Sequence, residues 1–177
     1  MSNQENLKSL RPNVGFMLHE AAGYHRVFEI DLPDLTLPDG LHLQLLRGPL
    51  SLTRTKEGIW VEGYLDGTVP ATCARCLEEF ALPLRIELAE LFFHPPSRAP
   101  EPTDYVIHET GVLDLVEPVR VEFVLSLPIR AVCRDDCHGL CAQCGENLNL
   151  SRCDCPQDAI DPRLAALLRL KKELADE

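Results

Sequence analysis

The sequence predicts an α+β protein with an antiparallel β-sheet, open or barrel-like, one or two packing helices, and a cysteine-rich C-terminal arm. Three observations lead to this fold class. Short runs of alternating apolar and polar residues, separated by Pro, Gly and Asp, follow one another from residue 24 to residue 94. Apolar residues recur at helical spacing from residue 114, and six cysteines fall within residues 133–155. Strand signals this short leave the closure of the sheet undetermined.

The composition restricts how the chain can bind other molecules. Its 177 residues are 45% apolar, which is enough to fill an ordinary core. The formal net charge is −11, from 28 acidic and 17 basic residues. A protein that binds nucleic acid through its net charge alone carries the opposite sign. Any contact with nucleic acid is therefore expected to be local or indirect.

The N-terminal residues show no export signal, because they lack a basic start followed by an apolar run. No later stretch reaches the roughly 18 apolar residues of a membrane span. We therefore expect a cytoplasmic protein without a membrane partner. Thiols stay reduced in that compartment, so the eight cysteines are interpreted as metal ligands before disulfides.

The N-terminal segment, residues 1–23, is predicted to contain a short helix through Val14 and Leu18 that ends at Gly23. A β-rich core domain with a packing helix follows in residues 24–130. Its four or five antiparallel strands are expected in the runs 24–32, 41–55, 59–69 and 80–94.

Two glycine-containing segments interrupt these runs. Lys56-Glu57-Gly58 fits a tight hairpin in which Gly58 takes a positive φ. Leu65-Asp66-Gly67 is interpreted as a bulge or a second turn.

A proline-rich stretch, residues 95–102, predicts a surface loop, because it cannot form a helix or a central strand. A helix over residues 114–127 is expected to pack on the sheet, with Pro118 in its first turn. The apolar residues that define its face are Leu115, Val119, Phe123 and Leu127.

The C-terminal arm, residues 131–177, has no useful hydrophobic periodicity between Cys133 and Cys155. Side-chain packing alone cannot order such a stretch. A C-terminal helix is predicted from Asp161-Pro162, an N-cap followed by proline at the first helical position. The chain shows no internal repeat.

The eight cysteines form four half-sites, which are Cys73-x-x-Cys76, Cys133-x-x-x-Cys137, Cys141-x-x-Cys144 and Cys153-x-Cys155. A tetrahedral zinc ion needs four ligands, and one short half-site presents two. The four half-sites therefore predict two structural zinc ions per chain, and chelation is expected to unfold the arm first.

The spacing favours one division of the ligands. Cys141 and Cys144 are followed by Gly145, which lets the chain turn back, and their nearest partners are Cys153 and Cys155. The remaining half-sites, Cys73/Cys76 and Cys133/Cys137, would complete the other site. Free thiols, disulfides or an iron–sulfur cluster remain alternatives, and so does His138 as a substitute ligand.

The sequence does not predict an enzyme or a small-molecule substrate, because the common phosphate-binding, metalloprotease and hydrolase motifs are absent. A redox role for Cys73-x-x-Cys76 would require a thioredoxin-like context that the strand pattern does not provide. The candidates for contact with RNA or a partner are Arg26, Arg75, Arg134, Arg152 and the cluster Arg163, Arg169, Lys171 and Lys172. Asn147-Leu148-Asn149 could form a turn or an edge that reads RNA bases, and the turn is the preferred interpretation.

Further motifs accompany the cysteines along nearly the whole chain. They are Asn13-Val14, Gly23 with Arg26, Cys73-Ala-Arg-Cys76-Leu77, Leu125 to Pro128, Cys137-His-Gly-Leu-Cys141-Ala-Gln-Cys144-Gly145-Glu-Asn-Leu-Asn149, Cys153-Asp-Cys155 and Asp161-Pro-Arg163. Together these motifs resemble the YceD family, also called the large ribosomal RNA subunit accumulation protein family. The resemblance implies a bacterial or plastid protein needed for normal accumulation of large-subunit ribosomal RNA, with no known catalytic activity.

Two hypotheses follow for the function. In the first, the chain is a non-catalytic, zinc-stabilised factor that binds 23S-type ribosomal RNA or a pre-ribosomal particle. In the second, it is a zinc-ribbon adaptor that binds a ribosomal protein or a ribonuclease without contacting RNA. The negative net charge of the chain favours binding to a basic protein.

Overall fold

The computed structural model of the chain describes residues 3–100, 105–155 and 167. The chain forms two compact units. The first unit comprises Met1–Cys73 and Glu78–Cys133, and the second comprises Ala74–Leu77 and the chain from Arg134 onward. Within the described residues, no helix has the length and apolar character needed to cross a membrane.

An antiparallel four-stranded sheet dominates the first unit. Its strands are β1 (His25–Leu32), β4 (Leu45–Arg54), β5 (Gly58–Thr72) and β6 (Glu79–Phe93). Their order in the sheet is β1-β4-β5-β6, so each strand pairs with the next strand of this sheet along the chain. Because β1 and β6 are both edges, the sheet is open within the described residues. The α+β class is confirmed, and the sheet is not a barrel.

Strand β5 runs straight through the segment for which a bulge or turn was predicted. Leu65, Asp66 and Gly67 keep a constant register against β6. That prediction is therefore wrong. Gly67 is required by packing, because a Cβ at this position would lie 2.4 Å from Cζ of Phe123.

A tight hairpin joins β4 to β5, as predicted, and the Thr55 N–H donates to the Gly58 carbonyl at 2.9 Å. Gly58 does not have the positive φ that the sequence suggested. Its backbone instead lies against β6, where a Cβ would approach the Phe92 carbonyl oxygen to 1.8 Å. Close strand approach, rather than turn geometry, explains this glycine.

Helix α3 (Val116–Ser126) packs against β6. Pro118 lies in its first turn. Backbone N–H groups there have no intrahelical acceptor, so the proline breaks no hydrogen bond of the helix. Leu115, Val119 and Phe123 are buried, as their four-residue spacing predicts. The remaining hydrophobic core comes mainly from the sheet, including Leu32, Leu46, Leu50, Leu52, Ile59, Val61, Leu65, Ile86, Leu88 and Phe92.

Smaller elements complete the first unit. They are α1 (Asn3–Ser9), α2 (Gly15–Leu18), the two-stranded sheet of β2 (Leu35–Thr36) and β3 (His42–Leu43), and a 3₁₀ turn at Pro96–Arg98 in the proline-rich loop. Helix α2 ends at Leu18 and therefore stops short of Gly23. The C-terminal helix expected from residue 161 lies outside the described residues except at Leu167, which is helical.

The packing of α3 gives a direct test of the core. Phe123 is fully buried, and replacing it with Ala should lower the free energy of unfolding by about 3–5 kcal/mol through cavity formation. Leu125 on the same helix is 73% exposed, so Leu125→Ala should cost less than about 0.5 kcal/mol. Urea unfolding measures both variants. Equal losses would contradict the orientation of α3.

Candidate metal centres

The eight cysteines assemble into two groups of four. Centre A contains Cys73, Cys76, Cys133 and Cys137, and centre B contains Cys141, Cys144, Cys153 and Cys155. Within each group the Sγ atoms all lie within 4.8 Å of one another. All eight thiols are free of disulfide bonds. The grouping matches the division of half-sites that the spacing favoured.

The geometry of each group fits a single metal ion. A tetrahedral zinc ion with sulfur ligands at about 2.3 Å holds those sulfurs about 3.8 Å apart. The observed separations, all within 4.8 Å, require only small side-chain adjustments to reach that value. Four thiolates also fill a tetrahedron, so each group can hold a metal ion with no position left for water.

The two Cys-x-x-Cys turns are closed by equivalent backbone hydrogen bonds. In the first, the Cys73 N–H donates to the Glu78 carbonyl at 2.9 Å; in the second, the Cys141 N–H donates to the Glu146 carbonyl at 2.8 Å. Each hydrogen bond closes a six-residue turn that presents two cysteines on one side. The sequence carries the signal for this likeness, since Cys-Ala-x-Cys-x-Glu occurs at both places. This six-residue repeat was not predicted.

The residue after the second cysteine is left-handed in both turns. Gly145 has φ +76° and Leu77 has φ +61°, and Leu77 is the one non-glycine residue with positive φ among the described residues. A branched side chain in this region carries a conformational cost of about 1–2 kcal/mol. Leu77 is also 64% exposed, so burial does not offset that cost. The turn at Cys73 therefore depends on other interactions to keep its shape.

Hydrogen bonds reach the sulfurs of Cys73 and Cys137 in centre A. The Cys133 N–H donates to Sγ of Cys73 at 3.4 Å, and the Asn149 side-chain amide donates to Sγ of Cys137 at 3.4 Å. Cys73 is fully buried. N–H donors stabilise sulfur as thiolate, which is the form that binds metal.

The thiols of centre B shift one another's pKa values, because negative charge on one thiol opposes the ionisation of its neighbours. The pKa of Cys141 is lowered to about 6, chiefly by backbone N–H groups of Cys144 and Gln143. The pKa of Cys155 is raised to about 12, chiefly by the neighbouring Cys144 thiol. Four thiols this close cannot all lose their protons without a cation. A divalent metal removes this repulsion because it binds four thiolates at once.

Two of the arginines predicted to contact RNA are engaged within the second unit. Arg75 Nη1 donates to the carbonyls of Asp135 and Cys137, both at 3.0 Å. Arg134 donates to Oδ1 of Asn149 at 2.9 Å and lies 3.3 Å from the Asp136 carboxylate. Both guanidinium groups therefore stabilise the cysteine-bearing loops through hydrogen bonds and an ion pair.

The other predicted contact residues lie on β1, next to Cys153 of centre B, or outside the described residues. Arg26, on β1, stands over the rings of Phe16 and Phe28 at 5.3 and 5.9 Å. Arg152 is exposed and lines a shallow depression with His138 and Leu148. The His138 imidazole is in neither cysteine group. The cluster Arg163, Arg169, Lys171 and Lys172 lies outside the described residues.

Gly145 allows a test of the turn geometry. A Cβ there would meet nothing within 4 Å, so Gly145→Ala should weaken metal binding at centre B through backbone strain alone. A cost of about 1 kcal/mol corresponds to about fivefold in affinity, measurable by competition with a chromophoric chelator.

Gly40→Ala is the matched control, because Gly40 has φ +89° and equally open surroundings but lies in the first unit. It should lower the stability of that unit and leave the affinity of centre B unchanged. If Gly145→Ala binds metal as tightly as the wild-type chain, centre B does not require a left-handed backbone at residue 145.

The sequence of the chain matches a known protein family. Residues 61–171 match the family described as large ribosomal RNA subunit accumulation protein YceD. Uncharacterised proteins of Mycobacterium tuberculosis and Mycobacterium bovis are 34% identical over 165 residues, which cover 90% of this chain and 76% of theirs. No solved structure matches the chain.

A chloroplast protein of Arabidopsis thaliana, named large ribosomal RNA subunit accumulation protein YCED homolog 1, is 22% identical over 166 residues. The match covers 77% of this chain and 51% of that protein. The matched range of the family contains all eight cysteines of centres A and B. The chain therefore belongs to the YceD family of large ribosomal RNA subunit accumulation proteins.

Proposed function

We propose that this chain is a non-catalytic factor that binds two structural zinc ions and supports the accumulation and maturation of 23S-type ribosomal RNA in the cytoplasm. The observation that carries the metal part of the proposal is the assembly of two groups of four cysteines. Family membership carries the ribosomal part, because the family is named for accumulation of large-subunit ribosomal RNA.

The donor set and its spacing support zinc. Four sulfur ligands in a tetrahedron are typical of zinc or iron. In a multi-iron cluster the cysteines bind different iron atoms, whereas sulfurs within 4.8 Å of one another suit a single ion. A four-sulfur site that is closed to water supports a structural role rather than catalysis.

A second candidate is an adaptor that binds a ribosomal or RNA-processing protein without contacting RNA. The net charge of −11 favours it, since an acidic surface attracts a basic protein and repels a phosphate backbone. The hydrogen bonds that Arg75 and Arg134 make within the second unit favour it further.

Depletion and complementation test the ribosomal role. Cells depleted of this protein should lose 23S relative to 16S ribosomal RNA, and the wild-type chain should restore the ratio. Cys144→Ser should fail to restore it, because centre B loses one of its four ligands. Ala142→Ser is the control, since Ala142 is an exposed residue of the same turn. An unchanged 23S to 16S ratio after depletion would contradict the proposal.

Ribonuclease treatment distinguishes the two kinds of partner. The tagged, zinc-loaded chain should co-sediment with precursor particles of the large subunit. If it binds RNA, digestion should release its partners. Partners that remain bound after digestion would support the adaptor and count against direct RNA contact.

A further inference from the structure

The carboxamide of Asn149 has every hydrogen-bonding position filled. Its Nδ2 donates to Sγ of Cys137 at 3.4 Å and to Oδ1 of Asn147 at 2.8 Å. Its Oδ1 accepts from the His138 N–H at 2.8 Å and from Arg134 Nη2 at 2.9 Å. A primary amide offers two donors and two acceptor lone pairs, and all four are used.

The chemistry of these neighbours fixes the direction of the amide. The His138 backbone N–H and the Arg134 guanidinium can only donate, so they must face the oxygen of Asn149. The Asn149 amino group must therefore face Cys137. An N–H aimed at this sulfur fixes its position among the four cysteines, as outer hydrogen bonds do for the ligands of metal sites.

Asn149 also belongs to the loop that links the two halves of centre B, since it lies between Cys144 and Cys153. Several backbone contacts hold this loop against the segment that follows Cys137. Leu140 forms an antiparallel bridge with Asn147, and the Leu148 N–H donates to the Gly139 carbonyl at 2.9 Å. The Asn149 N–H itself donates to Oδ1 of Asn147 at 3.0 Å.

We propose that Asn149 couples metal binding at the two centres, an inference that rests on the proposed binding of two zinc ions. Metal at centre B orders the loop between Cys144 and Cys153, and the ordered loop presents the Asn149 amide to Cys137 of centre A. Occupancy of one centre thereby raises the affinity of the other, and the effect is reciprocal because it is a coupling free energy. Asn149 is a positioning residue and not a ligand.

The coupling is measured on the full chain with Zn²⁺ and a competing chelator. The affinity of centre A is determined with centre B intact and with centre B disabled by Cys144→Ser and Cys155→Ser. Disabling centre B should weaken centre A by roughly tenfold. In the Asn149→Ala background, the affinity of centre A with centre B intact should nearly equal its affinity with centre B disabled. The four variants form a double-mutant cycle.

Two further variants separate coupling from simple loop damage. Asn149→Asp keeps an oxygen for His138 and Arg134 but has no N–H for Cys137 or for Oδ1 of Asn147, so the coupling should be lost while the contacts to His138 and Arg134 remain. Leu150→Ala is the matched control, because Leu150 is a neighbouring side chain that is 77% exposed. It should retain the tenfold ratio.

The outcomes distinguish this inference from the proposed function. If the wild-type chain binds two Zn²⁺ ions and the ratio is unaffected by both Asn149 variants, the coupling is overturned and the two zinc sites stand. If the wild-type chain binds fewer than two ions, the proposed zinc function fails, and the coupling fails with it.

Discussion

Four thiols held within 4.8 Å of one another, twice in one chain, form the constraint on which the second unit depends. From Arg134 to Cys155, the buried hydrophobic residues are Cys137 and Cys141, and no aliphatic side chain is buried there. The first unit, by contrast, buries a large aliphatic core. A short segment without such a core cannot offset its conformational entropy by apolar burial. Metal binding is the interaction that can supply the missing free energy.

Several otherwise unrelated features follow from this constraint. Left-handed residues at Leu77 and Gly145 let the two Cys-x-x-Cys turns close. Gly139 is also left-handed, and a Cβ there would lie 3.0 Å from the Arg75 carbonyl oxygen. Arg75 in turn donates to the carbonyl of Cys137. Polar groups around the cysteines thus brace the ligand-bearing backbone, in the manner of the outer hydrogen bonds of metal sites.

The sequence predicts the half-sites and centre B because their spacing is local, and centre A follows because its two distant half-sites are the ones that remain. Half-sites with short spacing can only present their sulfurs together, and four half-sites leave few pairings. The strands and α3 were likewise predictable, since alternation and four-residue spacing report burial directly. The roles of Gly58 and Gly67 were not, because a glycine signals a turn and a close packing contact equally well. Asn149 was interpreted as part of a turn, and the inward direction of its amide depends on His138 and Arg134, which only the fold brings near.

The ribosomal role and the metal chemistry have separate foundations, since family membership supports the first and cysteine geometry the second. The metal chemistry is the more directly testable, and the account of the second unit depends on it. Elemental analysis of the purified full-length chain measures it in one step. The account predicts two zinc ions per chain. One zinc or none, or iron in its place, would contradict it.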